Sequence, residues 1–528
     1  MPPDLQYDAV IVGSGFGGAA MARQLAAAGH SVLVLERGGP AARDASAWDA
    51  RAILIDQRYR STIPFEAPQF GGRRRLLHPN AVVGGQSVFY GAASFRFREA
   101  DFERRSRFVD THPMPDGYAD WPISYADLEP WYSQAESLIG VAGVAGVDPH
   151  EPPRSAEYPM APPPLGAPSR RLADAATRLG LTPFRIPLAI NYANPERPRC
   201  IECTTCDLYP CQLGAKNDMA VTLLPQAVAA GATVRPRTAA LRLLRRGERI
   251  TGVACADLDT GRRFTVACEV AVVSAGAIAS ARLLLASGLG DVEPNGRMVG
   301  RYLMRHCAGV AIGLFPFVTN PDQVYTKQIA ITDRYLGDPS HRRGPAGPWG
   351  CIQGLQVPPP EYIAAGAPFP FNFLGVRSLP YHLYLLVMAE DVPQPANRIT
   401  LHPSRTDPLG EPIASVAYRH GRRDLQARAA LFRVASGILR EAGAVLRLRK
   451  TINTFSHQVG TCRFGTDPSR AVLDPVCRFF GLANLFVVDG SFMPTSAGVN
   501  PSLTIAANAL RVGEHLAGEW AAYGGSAS

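Results

Sequence analysis

A chain of 528 residues is too long for one simple core; at roughly 100 to 200 residues per domain it predicts two or three, with space to enclose a large cofactor. Its composition, 46% hydrophobic and 19% charged, is that of a globular protein and excludes a disordered chain. The net charge of +9 is modest, and the basic residues are scattered except for short clusters at Arg73 to Arg75 and at Arg342 and Arg343, which argues for a solvated surface and against nucleic-acid binding.

From the N-terminus, Met1 to Gln6 carries no charged segment followed by an isolated apolar stretch, so no secretory signal is read there. No window approaches the roughly 20 apolar residues of a membrane span, which predicts a cytoplasmic protein with reduced cysteines. A strand at Ala9 to Val12, a helix at Gly17 to Ala28 and a strand at Ser31 to Leu35 come first. A polar, Arg-rich stretch to Asn80 precedes a second glycine turn, Val83 to Gly91. Residues 140 to 169, rich in Pro, Gly and Ala without periodicity, predict an extended surface connection and a seam between domains. Helices are expected at Ser169 to Leu179 and Met219 to Ala230. Strands follow at Thr233 to Leu244, Ile250 to Asp257, Arg263 to Ala267 and Val270 to Ser274. Between His306 and Tyr418, short β-rich runs separated by Pro, Gly and Asn predict an antiparallel sheet. An amphipathic helix at Asp424 to Ala442, a strand at Leu485 to Val488 and a helix at Leu503 to Leu516 complete the chain.

The first turn, YDAVIVGSGFGGAA, supplies Gly13, Gly15 and Gly18, and the helix after it turns its free N–H groups toward a pyrophosphate. Glu36 lies 18 residues beyond Gly18, where a carboxylate accepts from a ribose hydroxyl. Strand, turn, helix and terminal acid agree on a dinucleotide. NAD and FAD satisfy this physics equally.

Longer motifs make the choice. The turn VVGGQSVFYGAASFR at Val82 to Arg96, SAGAIASARLLLASGLG at Ser274 to Gly290, HQVGTCRFGTDPSRAVLDP at His457 to Pro475 and NLFVVDGSFMPTSAGVNPSLTIAANALR at Asn484 to Arg511 resemble, in order, the glucose-methanol-choline (GMC) oxidoreductases. The resemblance implies an α/β fold of mixed α+β character: a Rossmann-like FAD-binding domain assembled from residues 1–120, 214–306 and 455–522, and a substrate-binding domain with an antiparallel sheet from 121–213 and 307–454. It implies FAD contacts at Gly13, Ser14, Gly15, Phe16, Gly18, Glu36, Arg37, Gly84, Gly85, Ser87, Tyr90, Gly91, Ala275, Asp489, Gly490, Asn500, Pro501 and Leu503. Glycines at 84, 85 and 91 are expected to let the backbone approach the isoalloxazine, and Asp489 with Gly490 to meet the ribityl or phosphate portion. Relatives that attach flavin covalently carry a histidine in the second turn; Phe89 stands here, which implies non-covalent FAD. Where the family usually has Pro, this chain has Ala281, a small change at a helix beginning.

Alcohol oxidation requires a base for the hydroxyl proton while hydride moves to flavin N5. His457 opens the HxxGT pattern that carries the family's catalytic histidine, and Asn500 in GVNPS is expected to hold the substrate oxygen. His306 is read as structural. The segment Trp121 to Glu136 resembles bacterial members acting on sugars, glycosides and polyols. The electron acceptor, whether oxygen, a quinone or another carrier, is left open by the sequence.

Cys200, Cys203, Cys206 and Cys211 form a C-x2-C-x2-C-x4-C run, near the ferredoxin spacing but lacking its trailing Pro. Iron–sulfur, zinc and a metal-free loop are the three readings; relatives with and without a cluster carry comparable runs, and the metal-free loop is carried forward. The competing functional readings are a nicotinamide-dependent dehydrogenase and an iron–sulfur electron-transfer subunit.

Overall fold

The computed structural model describes residues 4–68, 73–109, 117–338, 344–366 and 368–524; Arg342 and Arg343 lie outside them. Its largest sheet is built on Leu5–Val12, whose last four side chains are all buried, the pattern of a strand covered on both faces. Val32–Leu35 pairs with it in parallel on one side, and Arg263–Val273 on the other. Thr233–Arg235 extends the first edge in parallel, and the antiparallel ribbon Thr238–Arg246 and Arg249–Asp257 extends the second. The expected Thr233 to Leu244 run is therefore two strands, broken beside Pro236, whose missing N–H cannot continue a ladder.

The two runs expected at Arg263 to Ala267 and Val270 to Ser274 are one continuous strand with two sets of partners. Its first half pairs antiparallel with Arg249–Asp257. Its second half pairs in parallel with Leu485–Val487, through Ala271↔Leu485 and Val273↔Val487. The helix Phe16–Ala27 packs against the C-terminal helix Ser502–Gly518 on this sheet.

The second sheet is antiparallel throughout, in the order Leu446–Thr451, Cys307–Leu314, His382–Ala389, Gly350–Leu355, Ile329–Ile331, Phe184–Arg185. The helix Arg422–Glu441 buries Ala427, Leu431, Phe432, Ala435 and Leu439 against Ile329, Ile352, Leu385 and Val387 on one face. Alternation then turns Cys351 and Gln353 to the opposite face, where Cys351, Met388 and Ala330 join the core of the first sheet. The runs expected around 398–401 and 413–418 do not enter this sheet. Arg398–Thr406 and Pro412–Ala417 form a third sheet with Phe65–Pro68 and Arg74–Leu77. Their partners precede them by more than 300 residues, a pairing that no local pattern encodes.

A buried ion network ties the helix Glu99–Phe102 to the second sheet. Arg104 donates to Asp101 and, at 3.0 Å, to Glu390, and all three side chains have no exposure. Replacing Arg104 by Met strands two buried carboxylates, so a loss of about 3–5 kcal/mol of stability is expected, measured by denaturant or thermal melting.

Candidate active site

The first glycine turn is held by contact, not by sequence alone. Gly13 has φ +102°, and a side chain on it would strike the carbonyl of Ser274; one on Gly18 would strike the carbonyl of Gly13. Around Gly15 and Gly276, by contrast, no heavy atom lies within 4 Å of where a side chain would begin. The helix that starts at Phe16 has no side-chain cap and no acid in its first turn. Its amide donors and positive dipole end therefore face open space, which is the chemistry a diphosphate requires. The residues present fit a dinucleotide.

Ser14 joins three pieces of chain here. Its hydroxyl donates to Glu36 at 2.6 Å and accepts from the amide of Gly84 at 2.9 Å. Glu36, 6% exposed, also accepts from Ser14 N and Gly38 N, so three protein donors occupy its carboxylate. Beside it, burial pulls the Arg37 guanidinium below its usual range against the opposing pull of Glu36.

The second turn lies against the first, with Gly85 touching Gly15. Ser87 donates to Gly84 O and accepts from Met219 N, Tyr90 donates to Asn217 O, and Phe16 meets Tyr90 edge-on at 5.3 Å. Gly84 is required by φ +92°, and the space beside Gly91 is filled by the ion pair of Lys327 and Asp207. Phe89 is buried with Val82 and Val88.

The carboxylate of Asp489 is fully engaged by the protein. It accepts from Gly276 N (2.9 Å), Ser280 Oγ, Ser491 N (2.8 Å) and Ser491 Oγ, which fills the four lone-pair positions of a carboxylate. Burial raises its pKa while these bonds lower it. Its work is to pin the Ala277–Ala286 helix start, with Ala275 donating to Ser280, against the returning C-terminal segment. Gly490 sits beneath Gln458 and accepts from Gly460 N. Ala281 is fully buried in that helix.

His457 and Asn500 are brought together, His457 Nε2 lying 3.3 Å from Asn500 Nδ2, just before Pro501 and the helix carrying Leu503. The structure adds a third member. His306, read from sequence as structural, places Nδ1 2.9 Å from His457 Nδ1. Its Nε2 faces the carbonyls of Ser496 (3.2 Å) and Ala497 (3.1 Å) and must therefore carry a proton. In the neutral ring Nδ1 is then a bare acceptor, and His457 Nδ1 must be the donor. His457 Nε2 then carries no proton, and its lone pair faces Asn500 Nδ2. Burial pushes His306 down to about 4 and His457 well below its ordinary value, with His306 and Lys327 lowering the latter further. Gln353, 0% exposed, completes the set by donating to Asn500 Oδ1 at 2.8 Å. A polar residue on an inward-facing position of an apolar strand was the sequence signal for it.

The cysteine run wraps an ammonium. Lys216 Nζ donates to the carbonyls of Tyr90, Cys206 and Tyr209. Burial raises the thiols of Cys200, to about 12, and of Cys206. Among the described residues, the one set of three metal-ligating atoms within 4.8 Å of one another is Asp391, His420 and Asp424. Burial raises both aspartates to about 7 and lowers His420 to about 4, while Arg305 and Arg423 pull the aspartates the other way.

A cofactor cradle on the parallel sheet and a buried cluster of His306, His457 and Asn500 fit a dinucleotide-dependent oxidoreductase. The chain belongs to the GMC oxidoreductases, whose N-terminal and C-terminal models match residues 7–308 and 393–509. It is therefore an FAD-binding flavoenzyme acting on CH–OH donors. It is 32% identical to 6'''-hydroxyparomomycin C oxidase of Streptomyces lividus (98% of this chain, 94% of the relative) and 32% identical to paromamine 6'-oxidase of Streptomyces fradiae (98% and 92%). Identity to 2-methyl-1,2-propanediol dehydrogenase of Mycolicibacterium austroafricanum is 28% (97% and 95%). The fold matches pyridoxine 4-oxidase from Mesorbium loti with a TM-score of 0.67 at 20% identity, covering 96% and 98% of the two chains. No helix among the described residues is long and apolar enough to cross a membrane.

Two outcomes are expected from this geometry. Gly18→Ala forces the first turn apart at a cost of about 1–3 kcal/mol and lowers retained flavin, read from the melting curve and the visible-to-ultraviolet absorbance ratio. A depressed His457 stays neutral on acidification, so flavin reduction by an alcohol should hold its rate from pH 8 to below about 6.5, where an ordinary histidine would be half protonated; stopped-flow mixing across pH 5 to 9 measures this.

Proposed function

We propose that the chain oxidises the CH–OH group of a sugar, glycoside, polyol or related alcohol, with His457 as base. The observation that carries this reading is the bare Nε2 of His457, whose donor state is dictated from behind by His306. FAD, when bound, supplies the hydride acceptor at N5. His457 Nε2 takes the hydroxyl proton, and Asn500 Nδ2 donates to the same oxygen and orients the carbon. The His306 contact holds the His457 ring so that its unprotonated Nε2 is presented to the substrate hydroxyl.

Gly13, Gly15 and Gly18 with the Phe16 helix hold the diphosphate end, and Glu36 has one lone-pair position left for a ribose hydroxyl. The segments 1–120, 214–306 and 455–522 form the FAD-binding part under this reading; 121–213 and 307–454 form the substrate part. The names of the relatives support carbohydrate-like and diol substrates. FAD is held without a covalent bond, since Phe89 offers no nucleophile; on acid precipitation the yellow colour is expected in the supernatant, and colour in the pellet overturns this point.

The function is tested by anaerobic mixing with a panel of sugars, polyols, aromatic alcohols and sterols, followed by air. Bleaching of the flavin by at least one class is expected, and rapid return of colour identifies an oxidase. His457→Ala should slow that bleaching by about 10²–10⁴-fold with FAD still bound; an unchanged rate removes His457 from the chemistry.

A further inference from the structure

The hydrogen-bond polarity set behind His306 does not stop at the base. His457 Nε2 is a bare acceptor, so the group of Asn500 facing it must be the Nδ2 donor, and Oδ1 must point away. Oδ1 then requires a donor, and Gln353 Nε2 meets it at 2.8 Å. Turning the Gln353 amide over would set oxygen against oxygen there, or else turn Asn500 and set its oxygen against the lone pair of His457. The orientation of three side chains thus follows from the two carbonyls of Ser496 and Ala497. One atom is left over. Gln353 Oε1 is buried, on a side chain with no exposure, and has no hydrogen-bond partner. Native buried acceptors are rarely left so.

Gln353 lies on the Gly350–Leu355 strand, directly opposite Leu386 in register, so its immediate cross-strand neighbour offers no donor. Lys327 Nζ is engaged by Asp207 at 3.1 Å. The free oxygen belongs to the same amide that touches Asn500, one group away from where the reacting hydroxyl is held.

We propose that Gln353 Oε1 accepts a hydrogen bond from a second hydroxyl on the carbon adjacent to the oxidised CH–OH, making the preferred substrates vicinal diols. This rests on the proposed function above, because it takes the reacting oxygen to sit between His457 and Asn500. A substrate with a methyl group in place of that hydroxyl leaves Oε1 stripped of water and unmatched. Gln353 is a specificity residue through Oε1 and a positioning residue for Asn500 through Nε2, and the two roles separate experimentally.

The test uses holoenzyme and alcohols matched in shape: 2-methylpropane-1,2-diol against 2,2-dimethylpropan-1-ol, and propane-1,2-diol against 2-methylpropan-1-ol. The efficiency of anaerobic flavin reduction is measured for each. The natural protein is expected to favour each diol by at least about tenfold. Gln353→Met should bring that ratio to within about twofold of unity. Gln353→Glu keeps an acceptor but loses the N–H to Asn500, so it should slow both alcohols and keep the preference for the diol. Flavin absorbance and circular dichroism confirm that each variant is folded and loaded. A ratio near one in the natural protein, or a ratio unmoved in Gln353→Met while both alcohols still bleach the flavin, overturns the inference alone. No bleaching by any alcohol overturns the alcohol-oxidation reading, and the inference falls with it.

Discussion

Three parallel strands ending together set the rest of this structure. Val12, Val273 and Val487 stand in register across Leu5–Val12, Arg263–Val273 and Leu485–Val487. Because the strands run the same way, the three segments that leave them emerge at one rim: the Gly13 turn, the Ser274 to Gly276 turn, and the Asp489 turn. Crevices at the carboxyl ends of parallel strands are where such sheets bind ligands. Here the rim is also welded by backbone contact, Gly13 against Ser274 and Gly17 against Val488, and by Asp489 gripping Gly276 and Ser280. The cradle is rigid because its pieces are each other's walls.

A chain of hydrogen-bond polarity runs from backbone carbonyls through His306, His457 and Asn500 to Gln353 on the second sheet. Two backbone carbonyls accept from one imidazole nitrogen of His306 and so keep the proton there; that fixes the donor of His457, then the face of Asn500, then the face of Gln353. Each link is an ordinary hydrogen bond. Together they set which nitrogen of each ring is unprotonated, and burial lowers both imidazoles from their ordinary range. A charged partner would stabilise the imidazolium and raise the base into the range where it is already protonated. Two facing histidines do the opposite.

Polar groups that look functional in one dimension turn out to spend themselves on architecture. Asp489 has every lone pair taken, Lys216 organises the cysteine loop through three carbonyls, and Gly91 makes room for Lys327 and Asp207.

The sequence by itself determined the elements whose cause is local. The apolar run before Gly13, the glycine spacing, the acid at 36 and the amphipathic period of the Arg422–Glu441 helix are short-range patterns, and the structure carries them with shifts of a few residues. The order of long motifs also fixed the family and hence the FAD and the paired His457 and Asn500. What only the tertiary structure decided is everything that depends on which atoms face each other across long stretches of chain. His306 lies 151 residues from His457, and Gln353 lies 147 from Asn500; the third sheet joins strands still farther apart. A side chain's periodicity says which way it leaves the backbone, not what waits on the other side. Whether a buried histidine faces another histidine, and which serines an aspartate meets, is settled by the partner that burial brings within 3 Å.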